Sequence, residues 1–464
     1  MDAIARLEGG LLLRRGTAAD AEAIAAFNAF VHSPPDRPDP AIAAWPRELL
    51  TRPHPTFGEG GFLVVEDPAR GADDRIVSSL NLIPQTWTYG GVPFGVGQVE
   101  LVGTHPEYRR RGLIRVQMEE VHRWSAGLGH PVQIILGISN FYRQFGYEQG
   151  LTVAGSRSGY RHAIPSLRPG AAEPFRLRPA TPGDAEFLAE VEAPARARSL
   201  LSVPRDAALW RHELAGPADD HITRRRIFIV EAAPSAPGAT GAPGATLPAG
   251  DRAGYVVTSR SCAPTLTVTA YDLVPGLSWL AVTPSVLRGL RELGDAYVAR
   301  SPEETGQRFD RLRFELGLDH PVYHTVPGLL SMIARQGLQY VRVQDVASFV
   351  RHVAPVLERR LGHSVAVGHT GSLRLSFYRD GLLLRFDGGR LSGAEPCLHH
   401  APVAEAGPIG ASFPDLTFLQ LLFGSRSLEE LEHSFGDCRV RSDDAQALLT
   451  ALFPKQPSLI WPIS

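Results

Sequence analysis

The chain of 464 residues has only three cysteines, Cys262, Cys397 and Cys438, far apart and without a CxxC pair. That spacing excludes a disulfide framework or a thiolate metal site and fits a reducing cytoplasm. Lysine is nearly absent: Lys455 is the one lysine, so almost all of the 47 basic residues are arginine. Beside so much Ala, Pro and Gly, this excess reads as a codon-composition bias, and an arginine cluster must be judged by its spacing. The formal net charge is −2, which leaves no overall field to recruit nucleic acid or an anionic membrane. No stretch approaches the roughly 18 uncharged apolar residues that a membrane span needs. Leu11–Leu13 runs straight into Arg14 and Arg15, so no signal peptide is expected. A cytoplasmic protein without metal, membrane or nucleic-acid partner follows.

Hydrophobic residues make up 44% and charged residues 21%, ordinary values for a globular protein. At about 150 residues per domain the length suggests roughly three domains. An internal repeat organises the first two. Leu13, Arg14, Thr17, Asp20, Ala21 and Glu22 recur as Leu177, Arg178, Thr181, Asp184, Ala185 and Glu186, 164 residues later. Trp45, Glu48 and Leu49 recur as Trp210, Glu213 and Leu214, and Leu63–Glu66 recurs as Phe228–Glu231, both 165 residues later. One matched block could come from any two strand-then-helix domains; three in order indicate two copies of one domain. Each copy opens with a short strand and a Thr placed to cap a helix, with an acidic residue three positions on. Ala232–Gly250 is a Pro/Ala/Gly/Ser tract without periodicity, read as a hairpin insertion into the second copy.

After Arg342 the pattern changes. Asp345–Leu361 reads as one amphipathic helix, and Ser372–Tyr378 with Leu382–Asp387 as a hairpin turning at Asp380-Gly381. Helices are expected over 415–423, 427–435 and 443–453, and an apolar Pro-rich tail from Phe453 is expected to dock. The expected domains are therefore 1–155, 156–343 and an α+β domain over 344–464. His399-His400 has no Asp, Glu or Cys at ligand spacing and reads as exposed.

The chemistry concentrates between Val96 and Glu148. Val96–Val102 is a strand entered from Gly90-Gly91, and it runs into Gly103-Thr-His-Pro-Glu-Tyr-Arg-Arg-Arg-Gly-Leu-Ile114. A helix follows, with Ile114, Met118, Val121, Ser125 and Leu128 on one stripe. The arginines thus sit where a strand meets a helix N-terminus, whose free N–H groups and positive end favour an anion. Gly112 permits close approach of the backbone to a pyrophosphate. A second apolar strand, Gln133–Gly137, leads into Ser139-Asn-Phe-Tyr-Arg-Gln-Phe-Gly-Tyr-Glu148.

Pro-x-Tyr-Arg-Arg-Arg-Gly after a strand, then a strand followed by Tyr-x-x-Phe-Gly-Tyr, resembles the GNAT acetyltransferase core. The chain departs from the Arg/Gln-x-x-Gly-x-Gly/Ala pattern at Ile114. That departure is similar to the enhanced-intracellular-survival-like branch, which carries Arg-Arg-Arg-Gly-aliphatic-aliphatic. The resemblance implies a fold of two tandem GNAT-type mixed-sheet α/β domains followed by a sterol-carrier-like α+β domain. It implies acetyl-CoA as co-substrate, held along Leu101, Val102, Gly103, Thr104, Arg109, Arg110, Arg111, Gly112, Leu113, Ile114 and Asn140. It further implies a hexameric homo-oligomer and transfer of an acetyl group to an amine acceptor. In the second copy Tyr271–Val274 parallels Val99–Val102, but the following Pro275–Val282 has no arginine and no helix-opening glycine, so cofactor binding is expected to be lost there.

The expected first domain contains no cysteine, so direct transfer is preferred to an acyl-cysteine route. A backbone N–H near Val102 is the expected oxyanion donor. By resemblance Tyr142 is the general acid for the departing thiolate. The base stays open between the C-terminal carboxylate of Ser464, which the resemblance brings into the first cleft, and Glu100 acting through a water. A non-catalytic acyl-CoA or lipid-binding sensor and a structural oligomer component are the competing classes. A sensor would not need Tyr142, and a purely structural role would not need a cofactor loop in one copy only.

Overall fold

The protein was analysed as a computed structural model. It describes the chain except residues 1–2, 35, 220, 234–238, 241–245, 249, 301–307, 318, 399–401, 403–404, 406, 459 and 462–464. The first half runs β1 (Leu12–Arg15), α1 (Ala21–His32), α2 (Pro40–Thr51), β2 (Phe62–Glu66), β3 (Ile76–Tyr89) and β4 (Val92–Thr104). It continues with α3 (Leu113–Gly127), β5 (Val132–Ile135) and β6 (Glu148–Tyr160). The second half repeats this order as β7 (Phe175–Pro179), α4 (Ala185–Ala195), α5 (Ala207–Ala215), β8 (Arg225–Ala232), β9 (Arg252–Ser259) and β10 (Thr265–Leu273). It closes with α6 (Trp279–Arg300), β11 (Arg311–Phe314), α7 (Pro321–Thr325) and β12 (Met332–Val343).

The repeat is matched in side-chain contacts. Arg14 binds both Asp20 oxygens at 2.8 Å and Glu66 at 2.6 Å, while Thr17 and Asp20 close a capping box before α1. Arg178 does the same with Asp184 at 2.8 Å and Glu231 at 2.7 Å, with Thr181 capping before α4. In both halves this joins the first strand, a helix start and the second strand (β1, α1, β2; β7, α4, β8).

The two halves share one 14-stranded mixed sheet. Its order beyond the short edge strand Ala5–Arg6 is β1-β2-β3-β4-β5-β12-β6-β11-β10-β9-β8-β7, and the short strand Leu201–Ser202 pairs with β3 off this path. The last strands of the halves are exchanged. β12, from the second half, lies between β5 and β6, pairing Tyr340 with Ile135 and Leu338 with Thr152. β6, from the first half, extends across to β11, pairing Gly159 with Leu312. The boundary expected between residues 155 and 156 falls inside β6.

The C-terminal unit has α8 (Val346–His352), α9 (Ala354–Gly362), β13 (Gly371–Ser376), β14 (Asp380–Asp387), β15 (Arg390–Leu398) and β16 (Ile409–Ser412). Then come α10 (Phe418–Leu422), α11 (Leu428–Ser434) and α12 (Asp443–Leu452). Its strands form a separate five-stranded sheet, β15-β14-β13-β16 and then Arg439–Val440. The helix expected over 345–361 is two helices meeting at Val353, because Pro355 opens α9 and cannot continue the hydrogen-bond ladder of α8. The chain reverses at Phe377–Arg379, with Tyr378 left-handed at φ 70, and Gly381 already pairs with Ser376. A further strand, β15, follows the Gly388-Gly389 turn. The unit shares one hydrophobic core with the β3–β4 hairpin: Trp87, Tyr89 and Phe94 are buried among Phe349, Val356 and Phe423. The Tyr89 hydroxyl donates to the Leu422 carbonyl at 2.7 Å. Those three aromatics therefore pack and do not line a cleft.

Among the described residues no helix is long and apolar enough to cross a membrane. Among the same residues no group of three or more His, Cys, Asp and Glu is arranged to hold a metal ion.

Candidate active site

The site begins where two parallel strands part. β4 pairs with β5 only from Val96–Val132 to Val99–Ile135, and β4 then runs on to Thr104 without β5. Its pairing with β3 breaks at the same place: Asn81 faces Glu100 and Ser79 faces Gly103, which leaves a bulge at Leu101–Val102 with Leu101 at φ 53. A bulge re-aims backbone groups, and this one sits at the mouth of the gap between the strands.

The gap opens into a cleft of about 680 Å³. Val102, Gly103 and Thr104 form one wall, and Arg109, Arg110, Gly112, Leu113 and Ile114 another. Helix α3 starts at Gly112, left-handed at φ 73, with no side-chain cap. Among the described residues the backbone amides of residues 110 to 115 have no protein acceptor, while the Gly112 carbonyl is used by Val116 at 3.2 Å. A side chain at 112 would meet nothing within 4 Å, so the cradle is open on that side. This row of free N–H groups on a helix N-terminus, flanked by Arg109 and Arg110, fits a pyrophosphate.

Arg111 turns away, over the Tyr108 ring at 4.7 Å, and donates to the Glu107 carbonyl at 3.2 Å. Asn140 is exposed, left-handed at φ 64, and is not on the cleft wall. Leu101 is buried at the bulge itself, packed with Ile83 and Phe62 rather than facing the cleft.

Tyr142 is buried and reaches the cleft from the opposite side. Its ring lies against Gly137, where a Cβ would come within 2.2 Å of it, so residue 137 must lack a side chain. Tyr340 on the exchanged strand packs edge-on against Tyr142 at 5.6 Å. Burial, then the charge of Glu100, pushes the Tyr142 hydroxyl above the ordinary phenol range. Glu100 is half-buried and accepts a hydrogen bond from Gln98 at 2.8 Å. Burial raises its carboxyl to about 7. Gln98 is bonded in turn to Gln85, whose Oε1 accepts from Trp87 at 2.9 Å.

Sequence reasoning did not find Val31 and His32, which line the cleft from the end of α1. It also missed Tyr340, which only the strand exchange brings there. Ser464 lies outside the described residues, as does His399-His400. The described tail follows the second half: Pro457 accepts from the Leu200 amide at 2.8 Å. Arg205 and Arg225 stack on Trp461 at 3.8 and 4.8 Å.

The second half differs at the corresponding place. By sheet register Glu100 corresponds to Ala270, not to a residue of the Tyr271–Val274 segment that the sequence suggests. There Tyr271 packs on Trp279 at 4.9 Å and binds Thr283 at 3.1 Å, and His320 closes the cluster. Aromatic rings thus occupy the space beside β10.

Parted strands, a bulge and an uncapped helix start with free amides define an acyl-transfer type of mixed α/β domain. Residues 13–150 match the family model described as an acetyltransferase (GNAT) domain. Among solved structures, a conserved protein of unknown function and probable N-acyltransferase from Enterococcus faecalis V583 is similar at 14% identity and a TM-score of 0.65, covering 98% of this chain and 100% of that one. A GCN5-related N-acetyltransferase from Kribbella flavida is similar at 17% identity and 0.60, covering 98% and 100%. Eis1 from Mycobacterium abscessus is similar at 19% identity and 0.57, covering 96% and 98%. At these identities the likeness is one of fold along the whole chain. A comparison with curated proteins returned no match.

Proposed function

We propose that the first half is an acetyl-CoA-dependent N-acetyltransferase that moves the acetyl group directly to a primary amine. The observation that carries this reading is the run of unpartnered amides from residue 110 to 115 beside the parted strands and Tyr142. In this reading the Arg109–Ile114 loop holds the pyrophosphate, and acetyl-CoA supplies the activated acyl carbonyl. The backbone N–H groups at the Leu101–Val102 bulge are donors for charge that develops on that carbonyl oxygen. Tyr142, kept protonated by burial and by Glu100, donates toward the leaving sulfur. Glu100, with its carboxyl near 7, takes the amine proton through a water, since it carries a charge for about half of the molecules at neutral pH. The tandem-GNAT and sterol-carrier-like organisation, an oligomer and a cytoplasmic setting belong to the same reading.

Thiol release from acetyl-CoA against a panel of amines tests it. Amine-stimulated release that falls at least about tenfold in Tyr142→Phe is expected. CoA binding without any amine-stimulated release would replace the enzyme with a sensor. Unchanged turnover in Tyr142→Phe would remove that residue as the acid.

A further inference from the structure

The repeat allows each buried position of the first half to be compared with its counterpart in the second. Asn28 and Glu192 are both the eighth residue of their helices, α1 and α4. Phe62 pairs with Asn81 as Ile227 pairs with Val257, and across the next strand Asn81 faces Glu100 as Val257 faces Ala270. Trp45 corresponds to Trp210 by the repeat.

In the second half these positions form a closed, satisfied layer. Val257 and Ala270 are buried and apolar, and the Trp210 indole donates to Glu192 at 3.3 Å. In the first half the same layer is polar and only partly paired. Asn81 and Asn28 are fully buried. Neither the nitrogen nor the oxygen of the Asn81 carboxamide has a partner, nor does the Asn28 Oδ1 or the Trp45 indole nitrogen, among the described residues. Asn28 Nδ2 is used by the Ile24 carbonyl at 2.8 Å and by Ser79 at 3.3 Å. Each orphan costs about 1–3 kcal/mol of lost hydration, and the apolar counterparts show that packing does not require polarity here.

The layer adjoins residues of the cleft along α1 and β4, and none of its own members is on the cleft wall. His32 lines the cleft, and Asn28 lies one helical turn, about 5.4 Å, deeper on the same face of α1. Val102 lines the cleft, and Glu100 lies two residues back along β4, directly across from Asn81. We propose that this slot, built from Asn28, Asn81 and Trp45 beside Glu100, receives the neutral hydrogen-bonding group of the amine acceptor, a hydroxyl or carboxamide carried next to the reacting nitrogen. The orphans offer both senses of hydrogen bond: two carboxamide oxygens accept, and one carboxamide NH₂ and one indole N–H donate. A hydroxyl or carboxamide can answer both. A carboxylate only accepts and would face the charge of Glu100, and an alkyl group answers neither.

The proposal rests on the amine-acceptor reading above, and one experiment separates the two. Thiol release from acetyl-CoA is measured with 2-aminoethanol against propylamine, and with glycinamide against isobutylamine, in the wild type, Asn81→Leu and Asn28→Leu. Melting temperatures of the ligand-free proteins are taken alongside. The expected result is a preference of at least about tenfold in kcat/KM for the hydroxyl and carboxamide amines. That preference is lost in Asn81→Leu and reduced in Asn28→Leu, and both variants melt higher than the wild type because apolar groups replace orphans. Turnover of all four amines without preference, or a preference that survives Asn81→Leu, overturns the slot and leaves the amine reading standing. A lower melting temperature in both leucine variants also overturns it, since the carboxamides then serve the fold through ordered water. No release with any amine overturns the acceptor reading and the slot together.

Discussion

Tyr340 packs its ring edge-on against Tyr142 at 5.6 Å, although the two lie on opposite halves of the chain. The Tyr340 hydroxyl also donates to the Ile138 carbonyl at 3.3 Å, on the loop that leads to Tyr142. Tyr340→Phe keeps the ring contact and should hold kcat within about threefold. Tyr340→Leu removes it, which should lower kcat at least about tenfold while acetyl-CoA affinity is retained, because a misplaced acid costs rate and not binding. Steady-state kinetics beside calorimetric titration of acetyl-CoA checks both.

In the proposed mechanism Glu100 sets a pH limb. With its carboxyl raised to about 7, kcat/KM should climb through that pH, and Glu100→Gln should abolish the limb. The same shift has a stability sign. Burial raises the carboxyl above its unfolded value of 4.5, so the contribution to folding is fully present below pH 4.5 and is lost as the pH rises through about 7. Glu100→Gln should therefore melt higher than the wild type at pH 8 and the same at pH 4, as scanning calorimetry would show.

The three arginines of the loop are not equivalent. Arg109 and Arg110 line the cleft, whereas Arg111 is stacked on Tyr108. Arg109→Ala or Arg110→Ala should weaken acetyl-CoA binding by about tenfold or more, the order of a charge-assisted hydrogen bond. Arg111→Ala should change it little. Added salt should narrow the difference. Calorimetric titration at two ionic strengths measures all three.

The duplicated ion pairs should not cost the same to break. Arg14 is 11% exposed and Arg178 is 32% exposed, while Asp20 and Asp184 are both buried. Arg14→Met should cost about 3 kcal/mol by leaving Asp20 without its main partner. Arg178→Met should cost less, because water reaches its site. Denaturant unfolding of the two variants gives the comparison.

What the sequence made legible was local. The paired Thr17/Asp20 and Thr181/Asp184 caps, the strand into Arg109–Gly112 and the stripe on α3 all follow from spacing within a few residues. The strand exchange was not legible, since the largely exposed or half-buried segment Met332–Val343 carries no pattern that says which neighbour it joins. Tyr340 was therefore invisible as part of the site. Asn81 carried no signal of its own, and only the register that matches it to Val257 shows that its counterpart is apolar. The hairpin at Tyr378 was misplaced because a non-glycine residue takes the left-handed position, while Asp380-Gly381 carries the stronger turn signal.

The exchanged strands also bear on how the chain is made. Until residues 332–343 have left the ribosome, the edge of β5 and the socket of Tyr142 have no neighbour, although every residue of the GNAT match is already synthesised. The nascent first half thus carries an open sheet edge while most of the second half is synthesised, and a fragment ending near residue 155 would keep that edge permanently. Expression of the first half alone should yield aggregates, and co-expression of a segment that supplies β12 should relieve them.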